Sequence, residues 1–450
     1  MAAATAARSA TFRFKPFSKR QLKALTWWMP GSPAALCDGI IADGSIRSGK
    51  TLSLSLGFVI WSMSSFDGQN FAFCGKTIGS LRRNVIGPLK RMLISRGYTV
   101  TDRRASNVLL IEMDGVANEY YLFSGKDEAS QDLVQGITLA GVLFDEVALM
   151  PESFVNQATG RCSVDGSKFW FNCNPEAPMH WFKRGWIDKW REKNLLYLHF
   201  TMDDNLSLSD KVKLRYESMY SGVFHKRYIQ GLWCVADGLC YQDFADDPEP
   251  WLADTVDLKE VQYISIGVDF GGNRSLTTFV ATAVHLGHKR IGYVKDYHIE
   301  GRKGDIDADR VCREFVRFVQ ELQGEFPGVP IRYAFMDSEA QYLINSVRSA
   351  CRQAGLPLSV GDCHKTEIVQ RIIATNTLLS QRRMYVLRRC KLVIGGMRAA
   401  AWDSDEAAKG KDVRLDNFSS DIDILDAAEY SWSAFAQRLL PDLNAMKGVS

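Results

Sequence analysis

The sequence predicts an α/β protein of two domains, the first with a mostly parallel sheet and the second with a mixed sheet. Its length of 450 residues is typical of two or three domains. Short apolar runs alternate with helix-like stretches in both halves, as in sheets covered by helices. An acidic, proline-containing segment at residues 243–257 marks a shift in composition between the halves. We therefore expect domains at 1–242 and 263–436, a linker at 243–262 and a tail at 437–450.

Each half supplies its own strand pattern. In the first half, β-rich apolar runs separated by helical stretches predict a largely parallel sheet; they lie at 71–74, 107–113, 120–123, 139–144 and 168–172. In the second half, closely joined strands precede a strand–helix alternation, which predicts a mixed sheet flanked by helices. The expected strands are 263–268, 278–284, 290–297 and 332–336, and the expected helices are 308–322 and 341–354.

Bulk composition excludes several classes of protein. The chain is 46% hydrophobic and 24% charged, as in ordinary globular proteins, and no uncharged apolar stretch reaches the roughly 18 residues of a membrane span. The ten cysteines form no CxxC pair, so we expect reduced, buried side chains rather than a zinc site. Residues 1–20 lack the apolar block of a secretory signal, although their composition also suits a transit peptide.

Residues 44–51 match the phosphate-loop pattern G-x-x-x-x-G-K-[ST] in full. Glycines let backbone amides turn toward phosphate oxygens, Lys50 reaches the β and γ phosphates, and the Thr51 hydroxyl joins the Mg²⁺ shell. The alternative is a glycine-rich turn with an unrelated lysine. The expected phosphate-binding residues are Gly44, Ser45, Arg47, Ser48, Gly49, Lys50 and Thr51.

An acidic pair at the end of an apolar run completes the predicted ATP site. Asp145 would hold Mg²⁺, and Glu146 would orient and deprotonate the attacking water. Arg47, inside the loop, is placed to stabilise charge that develops during phosphoryl transfer, within its own subunit or on a neighbour. The alternatives are a strand end followed by a solvated turn, and an arginine that faces solvent.

The ordered motifs resemble those of the bacteriophage large-terminase family, especially its PBSX-like branch, over about residues 17–430. The matching segments are 17–28, 43–51, 144–146, 171–182, 227–233 and 238–244. The resemblance implies that Gln21 reads adenine through its amide. It also implies that Asn172 or Asn174, beside an Asn-Pro turn, senses the γ phosphate.

Carboxylates follow three separate segments of the second half. Nuclease chemistry needs such acids to hold two divalent ions about 4 Å apart. Asp269 and Asp337 each end a predicted strand, and Asp421, Asp423 and Asp426 precede a predicted helix. Each acid alone is more typical of a turn.

The family resemblance implies an RNase H-like nuclease and assigns metal ligands to Asp269, Asp337 and an acid of the last cluster. Asp426 matches the family pattern best. Asp423 stands where relatives often carry His, so it is either a further ligand or an outer acid. Between the second and third acids, residues 365–398 contain eight Lys or Arg and one acid. Such a stretch is either a DNA-gripping surface or a solvated helix face.

The resemblance implies a large terminase subunit that uses ATP and Mg²⁺ to move duplex DNA into a procapsid. A nuclease with two Mg²⁺ or Mn²⁺ ions would cut concatemeric DNA. The implied partners are a portal protein, a small terminase subunit and further copies in a ring; the implied location is the host bacterial cytoplasm, transiently at the procapsid portal. The implied catalytic residues are Arg47, Glu146, Asp269, Asp337 and Asp426.

Two other functions fit the sequence. One is a P-loop helicase or DNA-repair ATPase with an inactive RNase H-like domain, which would separate strands. The other is a nucleotide-regulated binding module, which would not hydrolyse ATP even with DNA present. Neither of them requires the three-acid layout.

Overall fold

A computed structural model describes residues 14–220, 222–271, 277–299, 307–409, 411–415 and 420–441. These residues form two compact units. The first unit extends to residue 217 and includes a returning segment, residues 225–234, which we call the strap. The second unit contains the short segment 218–224 and the described residues from 235 to 441.

The first unit is built on a sheet that has eight strands among the described residues, in the order β3-β4-β5-β2-β6-β7-β1-β8. All neighbours pair in parallel except β3 with β4 and β4 with β5, so the predicted mostly parallel sheet is confirmed. The strands are β1 Gly39–Gly44, β2 Asn70–Gly75, β3 Thr99–Arg103, β4 Val108–Met113, β5 Val116–Ser124, β6 Gly141–Asp145, β7 Lys168–Asn172 and β8 Leu195–Phe200. The helices are α1 Lys19–Thr26, α2 Lys50–Ser65, α3 Ile78–Leu81, α4 Gly87–Ile94, α5 Glu152–Gly160 and α6 Asp210–Glu217.

The central strands and α2 are apolar on most sides, which explains why they form the core. Every residue of β1 is buried, as is typical of a parallel strand covered on both faces. Phe58 of α2 packs edge-on against Phe71 and Phe73 of β2. The helix and the strand are thereby held together within one core cluster of the first unit.

The second unit has a mixed sheet, with seven strands among the described residues, in the order β14-β13-β10-β11-β12-β15-β9. Strands β10, β11 and β12 are antiparallel, and β13 pairs in parallel with β10, so the predicted mixed sheet is confirmed. The strands are β9 Leu252–Ala253, β10 Val261–Asp269, β11 Thr278–His285, β12 Ile291–His298, β13 Ile331–Met336, β14 Ser359–Asp362 and β15 Met384–Leu387. The helices are α7 Gly222–Phe224, α8 Gln242–Asp246, α9 Ala308–Glu325, α10 Gln341–Gln353, α11 Ile368–Ser380, α12 Lys391–Ala399, α13 Ser404–Ala408, α14 Ser420–Ser433 and α15 Ala436–Leu439.

Two segments differ from the sequence prediction in local structure. Residues 243–262, predicted as a linker, contain part of α8 and all of β9, and the buried Trp251 indole donates to the Leu379 carbonyl at 2.8 Å. The acids at 423 and 426 lie inside α14 rather than before a helix. In both cases long-range burial of apolar neighbours outweighs the local composition.

The cysteines and the apolar helices were also subjects of sequence predictions. All ten cysteines are free, and six of them are buried, in agreement with their predicted role as small apolar side chains. Within the described residues, no helix combines the length and the apolar character that crossing a bilayer requires.

Candidate active sites

The loop between β1 and α2 has a backbone that requires glycine at both ends. Gly44 and Gly49 have φ angles of +123° and +86°, in the left-handed region that favours glycine. A Cβ at Gly44 would lie 2.0 Å from the Phe200 carbonyl oxygen, and one at Gly49 would lie 2.1 Å from Gln21 Nε2. Gly49 offers no side-chain cap to α2, so the amides of its first turn can bind an anion.

Lys50 lies inside this loop. Its ammonium donates to the carbonyls of Gly44 and Ser45, at 3.1 and 2.7 Å, and to Asn174 Oδ1 at 3.2 Å. Burial lowers its pKa to about 8. Phosphate oxygens at the mouth of the loop would stabilise the charged form of this lysine.

Thr51, Asp145 and Asn172 meet because β6 and β7 are neighbours whose last residues pair. Thr51 Oγ1 donates to Asp145 Oδ1 at 3.3 Å, and the Asn172 amide donates to both of them, at 2.9 and 2.5 Å. Burial raises the pKa of Asp145. The Asn172 Oδ1 atom is buried and has no partner within the described part of the chain. A hydroxyl, a carboxylate and a spare amide oxygen suit Mg²⁺.

Glu146 and Arg47 line the same cavity of about 490 Å³ as Lys50 and Thr51. Both adopt a left-handed backbone, with φ of 58° and 57°, which is uncommon outside glycine and is concentrated at functional sites. The Arg47 side chain is exposed, and its guanidinium carbon lies 5.4 Å from the centre of the Tyr216 ring.

Gln21 lies against the phosphate loop at an adjoining hollow of about 300 Å³, which Phe14, Phe17 and Leu52 also line. Its Oε1 accepts from the Ser18 amide at 3.0 Å, in a capping box at the start of α1. Its Nε2 lies 3.5 Å from the Ser48 carbonyl oxygen. Gln21 thus joins the start of α1 to the loop. Asn172 and Asn174, between which the sequence did not decide, both belong to the site.

Sequence reasoning missed the contribution of the strap. The Tyr228 carbonyl accepts from the Ile46 amide of the loop at 2.9 Å. The Trp233 indole donates to Asp43 at 2.7 Å, and the fully buried Asp43 also contacts His199 Nδ1 at 3.0 Å. Asp43 immediately precedes the loop, so the strap contacts both the loop and the residue before it. The one sequence signal was the resemblance of residues 227–233 to the family, which assigned them no contact with the phosphate loop.

Arg227 ties the strap to the segment that carries Asn174. Its side chain is fully buried and donates to the Cys234 carbonyl at 3.0 and 2.6 Å. It also donates to Glu176 Oε2 at 3.3 Å, two residues beyond Asn174. The Lys50 ammonium and the strap thus bind residues 174 and 176 of the same short segment.

Arg227→Met is expected to destabilise the first unit by about 3–5 kcal/mol, because it removes one partner of a buried ion pair. Arg103→Met is the matched control: Arg103 pairs with Glu119 at an exposed site, where loss should cost no more than about 1 kcal/mol. The measurement is the urea unfolding midpoint, followed by circular dichroism. Equal midpoints for the two variants would contradict the structural role of Arg227.

In the second unit, Asp269 is the last residue of β10, and Asp337 follows the neighbouring parallel strand β13. Val268 pairs with Met336, so both carboxylates emerge at the same edge of the sheet. Burial, together with the nearby carboxylates of Asp426, Asp337 and Asp423, raises the pKa of Asp269 to about 8. The structure therefore gathers these four predicted acids into one electrostatic cluster.

Gly267 allows α14 to carry Asp426 to this edge. A Cβ on Gly267 would lie 1.8 Å from the Ala427 carbonyl oxygen and 2.6 Å from the Ser431 amide nitrogen. Both are backbone atoms, which cannot rotate away as a side-chain end could. Close approach of the helix to β10 thus depends on the missing side chain.

Gly267→Ala is expected to push α14 from the sheet and to lower the unfolding midpoint of the second unit by several degrees, since overpacking typically costs about 1–3 kcal/mol. Gly361→Ala in β14 is a matched control, because its Cβ would meet no atom within 4 Å. Differential scanning calorimetry compares the two. A midpoint of wild-type value for Gly267→Ala would contradict the close packing.

Cationic side chains accompany the acids. The Lys365 ammonium contacts Asp337 at 3.1 Å and Glu339 at 2.9 Å, and Arg371 contacts Asp426 at 2.6 Å. Within the described ranges, no group of three or more His, Cys, Asp or Glu side chains has an arrangement that could already hold a metal ion. The side chain of Asp421 lies outside the description. An all-carboxylate donor set with high mutual repulsion still fits Mg²⁺ or Mn²⁺.

The cations of the basic stretch 365–398 have several different partners. Lys365 and Arg371 do lie at the acids, as expected for cations near that site. Arg388 instead pairs with Glu249 and Asp254, and Arg389 pairs with Glu325. Arg383 donates to the carbonyls of His288 and Lys289. Arg383, Arg388 and Arg389 therefore have partners within the second unit, and a DNA-gripping surface in this stretch stays a prediction.

The chain is similar to large terminase subunits of bacteriophages in both sequence and fold. Residues 41–244 match the family model described as the terminase large subunit, T4likevirus-type, N-terminal. The large terminase of a thermophilic bacteriophage is 44% identical, with coverage of 95% of this chain and 100% of that one, and a TM-score of 0.81. Its complex with ADP is likewise 44% identical, with coverage of 94% and 100% and a TM-score of 0.78. Its complex with ATP-gamma-S is 43% identical, with coverage of 92% and 98% and a TM-score of 0.77. No curated protein matches the chain.

Proposed function

Because the chain belongs to the bacteriophage large-terminase family, we propose that its first unit hydrolyses ATP to drive duplex DNA into a procapsid and that its second unit cuts concatemeric DNA. The observation that carries the proposal is 44% identity to the large terminase of the thermophilic phage over 95% of the chain, with both sets of predicted residues gathered in the fold. The ADP and ATP-gamma-S complexes of that relative support nucleotide binding here.

In the proposed ATPase, Lys50 and the loop amides bind the β and γ phosphates, and Glu146 accepts a proton from the attacking water. Mg²⁺ held by Thr51 and Asp145 would neutralise phosphate charge. Loss of the γ phosphate changes the partners of Lys50. Its bond to Asn174, and the bond of Glu176 to Arg227, provide a route by which the strap senses hydrolysis. Arg47 stabilises the transferring phosphoryl group, and Gln21 binds the adenine side.

In the proposed nuclease, Asp269, Asp337 and Asp426 hold the divalent ions, with Asp423 as a further ligand or an outer acid. The ions would activate a water molecule and stabilise the leaving oxygen of the phosphodiester. The family also supports a portal protein, a small terminase subunit and a ring of copies as partners. It supports action in the host cytoplasm and transiently at the procapsid portal.

Two assays of the purified chain test this function. One follows phosphate release from Mg-ATP with and without duplex DNA; the other follows conversion of supercoiled plasmid to linear DNA with Mn²⁺ and no ATP. We expect both activities, with little sequence preference in cutting. ATP-dependent strand separation without cutting would favour a helicase instead.

A further inference from the structure

A buried cluster of ion pairs adjoins the carboxylate site of the second unit. Arg371 Nη1 donates to Asp426 Oδ1 at 2.6 Å and to Glu429 Oε2 at 2.7 Å. Arg414 donates to the same Asp426 Oδ1 at 2.8 Å and to Glu429 Oε1 at 2.8 Å. The Tyr241 hydroxyl also donates to Glu429, at 2.8 Å. Two arginines and two carboxylates therefore balance each other's charge.

Asp426 is the member of the cluster that is open to solvent. Its side chain is 30% exposed, whereas those of Arg371, Arg414 and Glu429 are 8%, 1% and 1% exposed. The Nε atoms of both arginines are buried and lack partners within the described part of the chain. The two guanidiniums thus bind the carboxylates through their Nη atoms, while their Nε–H groups have no partner among the described residues. Because burying such charges is costly, the arrangement favours a role in geometry rather than in stability.

The two oxygens of Asp426 have different environments. Both arginines bind Oδ1, and Oδ2 makes no hydrogen bond to any residue that the structure describes. Asp426 is also the carboxylate with the largest electrostatic influence on Asp269. One oxygen is therefore fixed and the other remains available beside the acids that end β10 and β13.

We propose that Arg371 and Arg414 are positioning residues of the metal site, which anchor Oδ1 of Asp426 so that Oδ2 binds the divalent ion. Glu429 neutralises the second positive charge, so the pair of guanidiniums repels the incoming cation less. This inference rests on the proposed nuclease function. Partners of metal-bound carboxylates typically change metal affinity about 10–100-fold.

The test is an Mn²⁺ titration of the full chain without nucleotide, in which electron paramagnetic resonance measures free Mn²⁺. Arg414→Lys keeps the charge but removes the planar fork whose two Nη atoms bind Glu429 and Asp426. Arg371→Lys keeps the charge but replaces the Nη1 group that binds both carboxylates with a flexible ammonium. Arg388→Lys is the matched control, since Arg388 makes a bidentate pair with Glu249 in the same unit. Asp269→Asn defines the background from other sites. We expect both cluster variants to bind Mn²⁺ about 10–100-fold more weakly, and the control to bind as wild type does.

Wild-type Mn²⁺ affinity in folded Arg371→Lys and Arg414→Lys proteins would overturn the positioning role. If one variant does not fold, the other decides, because both arginines bind the same oxygen. For variants that are merely destabilised, the titration is run at a temperature where circular dichroism shows native structure. Absence of Mn²⁺ binding by the wild type above the Asp269→Asn background would contradict the nuclease site itself, and this inference with it.

Discussion

Glu146→Gln is expected to lower the rate constant of ATP hydrolysis by about 10²–10⁴-fold, because it removes the proposed acceptor of the proton of the attacking water. Glu146 follows β6 directly and lines the cavity that Lys50 and Thr51 also line. Nucleotide affinity should change little, since the proposed phosphate contacts are those of Lys50 and the loop amides. Phosphate release and binding of a fluorescent ATP analogue measure the two quantities separately.

The control for this variant is Glu152→Gln, an exposed glutamate in the first turn of α5. It changes charge by the same amount near the same strand end. Hydrolysis at the wild-type rate in Glu146→Gln, or an equal loss in Glu152→Gln, would remove Glu146 from the proposed role.

Asp337→Ala is expected to reduce metal-dependent plasmid cutting by about 100-fold or more, because it removes a proposed ligand whose ion would contribute several kcal/mol to phosphodiester cleavage. Glu339→Ala is the matched control. Glu339 binds the same Lys365 ammonium but is 83% exposed and is not a proposed ligand. Gel analysis of supercoiled, nicked and linear plasmid measures the rates, and circular dichroism checks the fold.

Cutting by Asp337→Ala at the wild-type rate would show that the acids of β10 and β13 do not act together. A loss of the same size in Glu339→Ala would point instead to Lys365, the partner that both acids share.

Contiguous motifs explain why much of the site could be predicted from sequence. The phosphate loop, the acidic pair at the end of β6 and the acids at the ends of β10 and β13 each lie at a strand end or in the next few residues. Each of these motifs can therefore be recognised from a short stretch of sequence. Strand pairing then brings these ends together, as in the register of Asp145 with Asn172. Local pattern and tertiary position agree at these points.

Contacts between distant segments could not be predicted in the same way. The Trp233–Asp43 bond spans 190 positions of the chain, and the Arg371–Asp426 bond spans 55. A run of cations does not reveal which arginine is buried against a carboxylate and which lies in solvent. Acids and prolines around Trp251 are typical of a linker, and they do not indicate that the second unit buries the Trp251 indole.

One comparison tests most directly whether this chain carries two separate active sites. ATP hydrolysis and plasmid cutting are measured on the same preparations of wild type, Glu146→Gln and Asp337→Ala. We predict that Glu146→Gln loses hydrolysis and still cuts with Mn²⁺ in the absence of ATP, whereas Asp337→Ala loses cutting and still hydrolyses ATP. Loss of both activities in either folded variant, or of neither activity in both variants, would contradict the assignment of separate sites.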